Sequence, residues 1–340
     1  MEEREKKCYL ASWDGRQGAE RNPTGYVRRD DGSHIFHNAE DYYEWWYFDT
    51  SFDNGYHMVI TFHYRNVFLK PIIPSLQFFI YKPDGTRVDR YAICDPAKIR
   101  AHPDYCDVRM DESRVRDRGD QYELYIHIKD SGAHLTFTNI VPPWKCGTGF
   151  NYRDEETGIV AGWVVPVPNA RVEGELTVKG ETMAVTGSGY HDHNWGNYHF
   201  YNIYRSWYWG RIHSDKFTID YATVLPRDEE APLFNPLLLA RENEIVLSAN
   251  CLNVDLRDIE KDEKLGQEYA RTLLLGIDTL GVKLDLQINV QRLIESMQLP
   301  QVADWNHYYY RFIADYEMEV VIDGAAERVT GELLQELMIL

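Results

Sequence analysis

Alternation of apolar and polar residues with a period of two is the dominant pattern along this chain. It is clearest in four segments, residues 56–64, 122–129, 282–290 and 310–322. Successive side chains of a β-strand point to opposite faces, so each segment predicts a strand with one buried face.

Turn sequences support the same prediction, because three pairs of the type that favours tight hairpins occur between apolar runs: Asn54-Gly55, Asp84-Gly85 and Asp323-Gly324. Helical periodicity is limited to residues 290–299 and 333–340, which we expect to form short helices. The pattern therefore predicts an all-β protein of antiparallel barrels or sandwiches, with few short helices.

The glycine-rich segment 187–189 separates two sets of predicted strands and is the best candidate for an internal boundary. We expect an N-terminal extension over residues 1–40, an N-terminal β domain over 41–187 and a C-terminal β-barrel domain over 188–340. The acidic segment 255–268 is expected to be a solvated loop or the edge of a hairpin.

The amino-acid composition, above all the negative net charge, limits the classes of partner that the protein can bind. The 340 residues carry a formal net charge of −18, which argues against nucleic acid and leaves no polybasic patch for a membrane surface. The five Cys are scattered, and neither a signal peptide nor a long apolar span is visible, so we expect a soluble, cytoplasmic protein with no integral membrane segment. The 9 Trp and 24 Tyr prefer half-wet surfaces such as pocket walls.

The most informative segment is 189–198, GYHDHNWGNY. In an extended backbone His191 and His193 face one way, whereas Tyr190, Asp192 and Asn194 face the other. A strand with so many polar and aromatic side chains has two possible roles. It either belongs to a hydrogen-bonded network that stabilises the structure or forms a site that contacts a ligand. In the second case Asp192, His191 and His193 are candidate catalytic groups.

Two further segments place aromatic rings beside charges. In residues 204–211 the side chains of Arg205, Trp207, Trp209 and Arg211 share one strand face and Tyr208 lies on the other; this face is either a packed barrel wall or an aromatic wall that stabilises a cation. In residues 44–49 the side chain of Glu44 shares a face with those of Trp46 and Phe48.

An inward carboxyl such as that of Glu44 could serve as an acid, because a low-dielectric site raises the pKa of a carboxyl group. The more frequent arrangement is an ion pair with arginine, here Arg65 or Arg205.

Motifs for nucleotide binding and for covalent hydrolysis are absent from the sequence, and no cofactor is predicted. An H-x-H pair on a strand can offer two nitrogens to Zn²⁺, with a third from His199, His213 or His63. No sequence feature selects the third ligand, so we predict no metal site.

The order of 44–47 (EWWY), 189–196 (GYHDHNWG) and 207–211 (WYWGR) resembles the lipocalin-like family of carotenoid 1,2-hydratases. This family includes hydroxyneurosporene synthase, AttH-like proteins and kievitone hydratase and, more distantly, fungal Diels–Alderases of decalin biosynthesis. The resemblance covers most of the chain from Tyr43 onward. It implies two lipocalin-like β units with a hydrophobic pocket and a His-x-Trp element, here His193-Asn194-Trp195, with Asp192 or Asp220 as the acid. The doubled imidazoles are closer to kievitone hydratase.

From the cluster and this resemblance we expect a cofactor-independent enzyme that acts on a hydrophobic, unsaturated small molecule such as an isoprenoid or polyketide. Hydration or cyclisation of a C=C bond would use Asp192 as the acid, with Glu44 as a further candidate. The expected substrate contacts are Trp46, Tyr190, Asn194, Trp195, Trp207, Tyr208, Trp209 and Arg211. A pericyclase and a non-catalytic carrier of a hydrophobic ligand are the alternatives.

Overall fold

The computed structural model describes residues 8–9, 18–36, 40–69, 71–227, 234–302 and 305–340. Within these ranges the only helical segments are 3₁₀ turns, Arg28–Asp31, Pro96–Lys98 and Phe200–Asn202. None of the helices in the described ranges has the length and hydropathy needed to cross a bilayer. The strands are β1 (Cys8–Tyr9), β2 (Ala19–Glu20), β3 (Tyr43–Phe52), β4 (His57–Asn66), β5 (Ile73–Tyr81), β6 (Arg87–Ile93), β7 (Ile99–Ala101), β8 (Asp107–Met110), β9 (Ser113–Asp117), β10 (Gln121–Ile128), β11 (Ser131–Asn139), β12 (Phe150–Asp154), β13 (Val160–Val178), β14 (Glu181–Gly196), β15 (Tyr204–His213), β16 (Phe217–Pro226), β17 (Leu237–Arg241), β18 (Glu244–Ala249), β19 (Asn253–Lys261), β20 (Glu268–Thr279), β21 (Val282–Val302), β22 (Trp305–Ile322) and β23 (Ala325–Ile339).

The chain folds as two compact units. The N-terminal unit comprises Thr24–Lys145 and Ile159–His199, and the C-terminal unit comprises Met1–Pro23, Cys146–Gly158 and Phe200–Leu340. The N-terminal unit pairs its strands in the order β6-β5-β4-β3-β14-β13-β11-β10-β9-β8-β7, and the C-terminal unit in the order β19-β20-β21-β22-β23-β15-β16-β17-β18-β2. Each antiparallel sheet curls around its own apolar core, so the predicted all-β, lipocalin-like fold is confirmed.

The four predicted strands are found as β4, β10, β21 and β22. The three predicted turns join β3 to β4, β5 to β6 and β22 to β23. Gly55, Gly85 and Gly324 have φ of 83°, 81° and 86°, a region that glycine enters without steric cost. Segment 255–268 contains most of β19, an edge strand, and the turn into β20, which confirms the predicted hairpin edge.

The two predicted helices are wrong, because residues 290–299 lie in β21 and 333–340 lie at the end of β23. In β21 the register shifts between Val290 and Arg292 and again between Leu293 and Glu295. Each irregularity moves the apolar positions by one residue, and the resulting spacing imitates a helix. The last residues of β23 are mostly buried on both strand faces, which removes the alternation.

The predicted domain boundaries remain predictions, and part of the 1–40 extension lies outside the described residues. In the structure residues 187–189 lie within β14, where close packing explains the glycines. A Cβ atom on Gly187 would lie 2.1 Å from the Ser51 carbonyl oxygen, and one on Gly189 would lie 2.4 Å from the Phe137 ring.

We expect Gly189→Ala to lower the free energy of unfolding by about 1–3 kcal/mol, because the added methyl group must displace Phe137 and Val172 in a packed core. Urea unfolding monitored by circular dichroism measures this change. Gly25→Ala is the matched control in the same unit, since its Cβ would lie 3.7 Å from the nearest atom. Equal stability of the two variants would contradict this account.

Candidate functional site

Strand β14 carries the GYHDHNWG motif and runs antiparallel to β3, which carries EWWY. Opposite pairs are His191 with Phe48 and His193 with Trp46. Both imidazoles contact buried carboxylates on one face of β14, and the Asp192 carboxylate lies on the other face, as the alternation predicts. The two faces have different chemistry.

A buried ion cluster occupies the first face, formed by Asp31, Glu44, His191 and His193, each with 0% exposure. The Nε2 atom of His191 lies 3.2 Å from Asp31 Oδ2. The two ring nitrogens of His193 lie between the carboxylates, Nε2 at 3.1 Å from Glu44 Oε1 and Nδ1 at 3.4 Å from Asp31 Oδ1. The two acidic and two imidazole side chains thus share one enclosed site.

Further hydrogen-bond donors contact the carboxylates of Glu44 and Asp31. The backbone N–H of His34 donates to Glu44 Oε1 at 2.6 Å, and the Tyr42 hydroxyl donates to Glu44 Oε2. Tyr122 donates its hydroxyl to Asp31 Oδ2 at 2.7 Å. The ion-pair partner of Glu44 is therefore a histidine, so the predicted pairing with an arginine is wrong.

The pKa values of this cluster reflect its ion pairs. Burial alone would raise the pKa of Asp31, but the charges and hydrogen bonds of His191 and His193 hold it well below its usual value. Burial alone would lower the pKa of His193, yet its interactions with the carboxylates of Asp31 and Glu44 raise it. The raised pKa favours the imidazolium form of His193 between the two carboxylates.

Aromatic rings enclose the imidazoles. Trp46 stacks on His193 with centroids 4.3 Å apart, and Phe48 stacks on His191 at 3.9 Å. Trp195 stacks on His34 at 3.8 Å with an interplanar angle of 4°. Burial, followed by the charge of His193, lowers the pKa of His34 to about 4. With the cluster fully enclosed, its arrangement suits a role in stability and positioning.

The second face of β14 presents a hydrogen-bonded carboxylate, which we call the Asp192 face (Tyr190, Asp192 and Asn194). The Tyr190 hydroxyl donates to Asp192 Oδ2 at 3.0 Å, and the Asn194 amide donates to Asp192 Oδ1 at 2.9 Å. Asp192 as a whole residue retains 7% exposure, and Asn194 is half-buried. These bonds fix the orientation of both carboxylate oxygens.

Side chains of β3 and β4 lie beside the Asp192 face. Tyr47 is opposite Asp192 and Trp45 is opposite Asn194 in the β3–β14 register, and both are half-buried. His63 of β4 lies 6.0 Å from the Trp45 ring. Its burial lowers the pKa of the imidazole to about 4, so His63 is neutral at physiological pH.

The four remaining predicted contact residues, Trp207, Tyr208, Trp209 and Arg211, belong to β15 of the C-terminal unit. Trp209 donates its indole N–H to Asp220 Oδ1 at 3.0 Å, and Arg211 lies 2.9 Å from His213 Nδ1. Trp207 contacts Phe200 edge to face at 5.8 Å. Tyr208 lies in the apolar core, where its oxygen accepts a hydrogen bond from Ala270 N at 2.8 Å.

His199, His213 and His63, which the sequence offers as a third metal ligand, do not join His191 and His193 in a metal-binding group of the described residues. His199 Nε2 lies 2.5 Å from Asp41 Oδ1, whereas His213 lies beside Arg211 and His63 beside Trp45. In the described part of the chain, the group with metal-ligand spacing is instead Asp31, Cys106 and His191.

Sequence reasoning missed five residues around the cluster: Asp31, His34, Tyr42, Cys106 and Tyr122. Asp31 belongs to a short turn with no periodic pattern, and Cys106 precedes β8 without a partner cysteine nearby in the sequence. Tyr42 is the exception, because it stands two residues before Glu44 and so shares its strand face.

Comparison with protein families identifies relatives of most of the chain. A family model described as Diels-Alderase-like matches residues 39–264. Hydroxyneurosporene dehydrogenase of Chlorobaculum tepidum is 38% identical over 71 residues, and the quinolone epoxide rearrangement protein asqO of Emericella nidulans is 33% identical over 61 residues. These alignments cover 19% and 18% of this chain and only 19% and 17% of the two relatives.

Solved structures share the fold along nearly the full length. An AttH protein of Nitrosomonas europaea superposes with a TM-score of 0.64 at 17% identity, covering 94% of this chain and 98% of that one. CghA in complex with Sch210972 has a TM-score of 0.66 at 12% identity, with 98% of both chains covered. Kievitone hydratase of Nectria haematococca has a TM-score of 0.58 at 16% identity, covering 94% of this chain and 97% of that one. The resemblance predicted from the motifs is confirmed.

Neutral His63 predicts a specific pH dependence of stability. The pKa is about 4 in the folded protein and about 6.5 when unfolded, so the unfolded state binds more protons between these values and stability falls as the pH drops from 6.5 towards 4. We expect His63→Phe to remove up to about 3 kcal/mol of this loss.

Urea unfolding at pH 7 and pH 4.5 measures the difference between wild type and His63→Phe. The control is His134→Phe, at an exposed position of the same unit, which should keep the wild-type dependence. An unchanged pH slope in His63→Phe would show that His63 does not contribute to the loss of stability at low pH.

Proposed function

We propose that this chain, which belongs to the Diels-Alderase-like family, is an enzyme that hydrates or cyclises a C=C bond of a hydrophobic, unsaturated small molecule at the Asp192 face. The observation that carries the proposal is the oriented carboxylate of Asp192, held on both oxygens and bordered by half-buried aromatic side chains. The ion cluster behind it is too enclosed to meet a substrate.

The Asp192 carboxyl would supply a proton and recover it. In hydration it protonates one carbon of the C=C bond, water adds to the resulting cation, and the surplus proton of that water returns to the carboxylate. In cyclisation a second C=C bond attacks the cation, and the adjacent C–H loses its proton to the same carboxylate. Atoms and charge balance in both cases, and the carboxyl is regenerated.

Aromatic side chains supply the environment that such a cation requires. Trp45 and Tyr47 lie in register with Asn194 and Asp192, so their ring faces can stabilise positive charge by cation–π attraction. Apolar rings also favour a hydrophobic substrate, with the isoprenoids and polyketides as its most suitable classes. The hydratase among the structural relatives supports this chemistry, although that likeness establishes only the fold.

Pericyclic cyclisation is the second candidate, and the family match favours it. In that reaction the protein folds a polyene, and one donor polarises a carbonyl group without transfer of a proton. Asn194 suits this role, because an amide nitrogen carries two N–H groups and the bond to Asp192 uses only one of them.

We expect Asp192→Asn to lower kcat by about 100-fold or more, because the amide cannot donate and recover the proton. Product formation from a panel of linear polyenes, including geranylgeraniol and all-trans-retinol, is measured by mass spectrometry. Asp120→Asn is the matched control, since Asp120 is an exposed turn residue of the same unit. Turnover of Asp192→Asn at the wild-type rate would remove Asp192 from the mechanism.

Isotopes separate the candidate reactions. Hydration in D₂O containing H₂¹⁸O or D₂¹⁸O must place both deuterium and ¹⁸O in the product, acid-catalysed cyclisation places deuterium alone, and a pericyclic reaction places neither. We expect solvent deuterium in the product. A product free of both labels would support the pericyclic reaction, and a polyene that binds but is recovered unchanged would support a carrier.

A further inference from the structure

We propose that Asp31, Cys106 and His191 form a binding site for a zinc ion in the N-terminal unit. This site lies on the face of β14 opposite Asp192 and does not depend on the proposed reaction. Its ligands come from three separate segments of the chain: the 3₁₀ turn Arg28–Asp31, the loop before β8, and β14.

The donor set and its spacing suit zinc. One carboxylate oxygen, one sulfur and one imidazole nitrogen lie within 4.8 Å of one another, and all three residues are buried, each with 0% exposure. Zinc binds these atom types in a tetrahedron at about 2.0–2.3 Å. A thiolate ligand also favours zinc over magnesium and calcium, which prefer oxygen.

The hydrogen bonds of His191 direct a nitrogen lone pair into the site. Its Nδ1 lies 2.9 Å from the Tyr47 carbonyl oxygen, and a carbonyl only accepts, so Nδ1 carries the proton. With Nδ1 protonated, Nε2 is the ring atom that can bind a metal, in place of its present contact with Asp31 Oδ2 at 3.2 Å. A backbone carbonyl that fixes the tautomer of a histidine ligand is the usual supporting contact in metal sites.

The two loops that carry Asp31 and Cys106 are held together by close backbone contacts. Ser33 N donates to the His102 carbonyl at 2.8 Å and joins the two loops, and Asp117 N of β9 donates to the Cys106 carbonyl at 2.8 Å and fixes the second loop. A Cβ atom on Gly32 would lie 2.2 Å from the Pro103 carbonyl oxygen, so the turn approaches the loop as closely as only glycine allows. The site is therefore preformed by the fold.

One buried ligand atom of this group has unused bonding capacity, the Oδ1 atom of Asp31. Asp31 Oδ1 and His193 Nδ1 are fully buried and lie 3.4 Å apart without the alignment of a hydrogen bond. The Asp31 carboxylate therefore has one buried oxygen without a hydrogen-bond donor, which a metal ion would use. Tyr122, which donates to Asp31 Oδ2, orients the carboxylate.

All three donors are fully buried, so the bound ion would have a structural role, with its fourth position open to a water molecule. Binding of Zn²⁺ releases the thiol proton of Cys106 to solvent. Two anionic ligands then neutralise the charge of the ion. We expect the bound ion to tie the turn and the loop to β14 and to raise the melting temperature.

The test uses the full chain and the metal alone. Metal analysis by mass spectrometry should find about one Zn²⁺ per chain after purification, or after addition of ZnCl₂ to chelator-treated protein and gel filtration. Substitution with Co²⁺ should give d–d absorption of tetrahedral intensity together with a thiolate-to-cobalt charge-transfer band. Cys106→Ser should lose the charge-transfer band, whereas Cys251→Ser, a thiol outside the site, should keep it.

X-ray absorption of the zinc-loaded wild type keeps the proposal testable even if Cys106→Ser does not fold. A sulfur scatterer at about 2.3 Å is expected in the zinc shell. The proposal is overturned if chelator-treated protein takes up no stoichiometric Zn²⁺. It is equally overturned if the zinc shell contains only nitrogen and oxygen, or if Cys106→Ser retains the charge-transfer band.

Discussion

The ion pairs that His193 makes with Asp31 and Glu44 are the interaction on which the rest of the site depends. They join the 3₁₀ turn Arg28–Asp31 and strand β3 to strand β14 inside the core of the N-terminal unit. A buried charge without its partner costs about 3–5 kcal/mol, so the pairs are retained only if all three groups stay in place. The additional donors Tyr42 and Tyr122 satisfy the remaining carboxylate oxygens.

Because a strand alternates its side chains, fixing one face of β14 also fixes the other. The position of the Asp192 face is fixed by the buried imidazoles of His191 and His193, which precede and follow Asp192 in the sequence. Preorganisation of this kind is what proton transfer to a weakly basic C=C bond requires, since the oriented carboxyl need not reorganise during reaction. The histidines thus contribute to the proposed chemistry by placing a neighbour, without meeting the substrate.

The local sequence pattern predicts the strands and the hairpin turns, because each depends on residues close in sequence. For the same reason it predicts that His191 and His193 lie on the strand face opposite that of Asp192. Asp31 and Cys106 could not be predicted, since they reach β14 through contacts that span many residues and no periodic pattern surrounds them. The false helix at 290–299 has a similar cause, because the register irregularities of β21 depend on its pairing with β22. The partner of Glu44 was mistaken because charge alone favours arginine, whereas the register of β3 and β14 brings His193 within reach.

The central claim is that the two faces of β14 divide stability from chemistry. Parallel urea unfolding of Asp31→Asn and Asp192→Asn tests it most directly. Asp31→Asn should lose about 3–5 kcal/mol, because His193 keeps a buried charge with one partner removed, whereas Asp192→Asn should lose only about 1 kcal/mol, because the amide oxygen still accepts a hydrogen bond. If Asp192→Asn is as unstable as Asp31→Asn, both faces are structural and the account is contradicted.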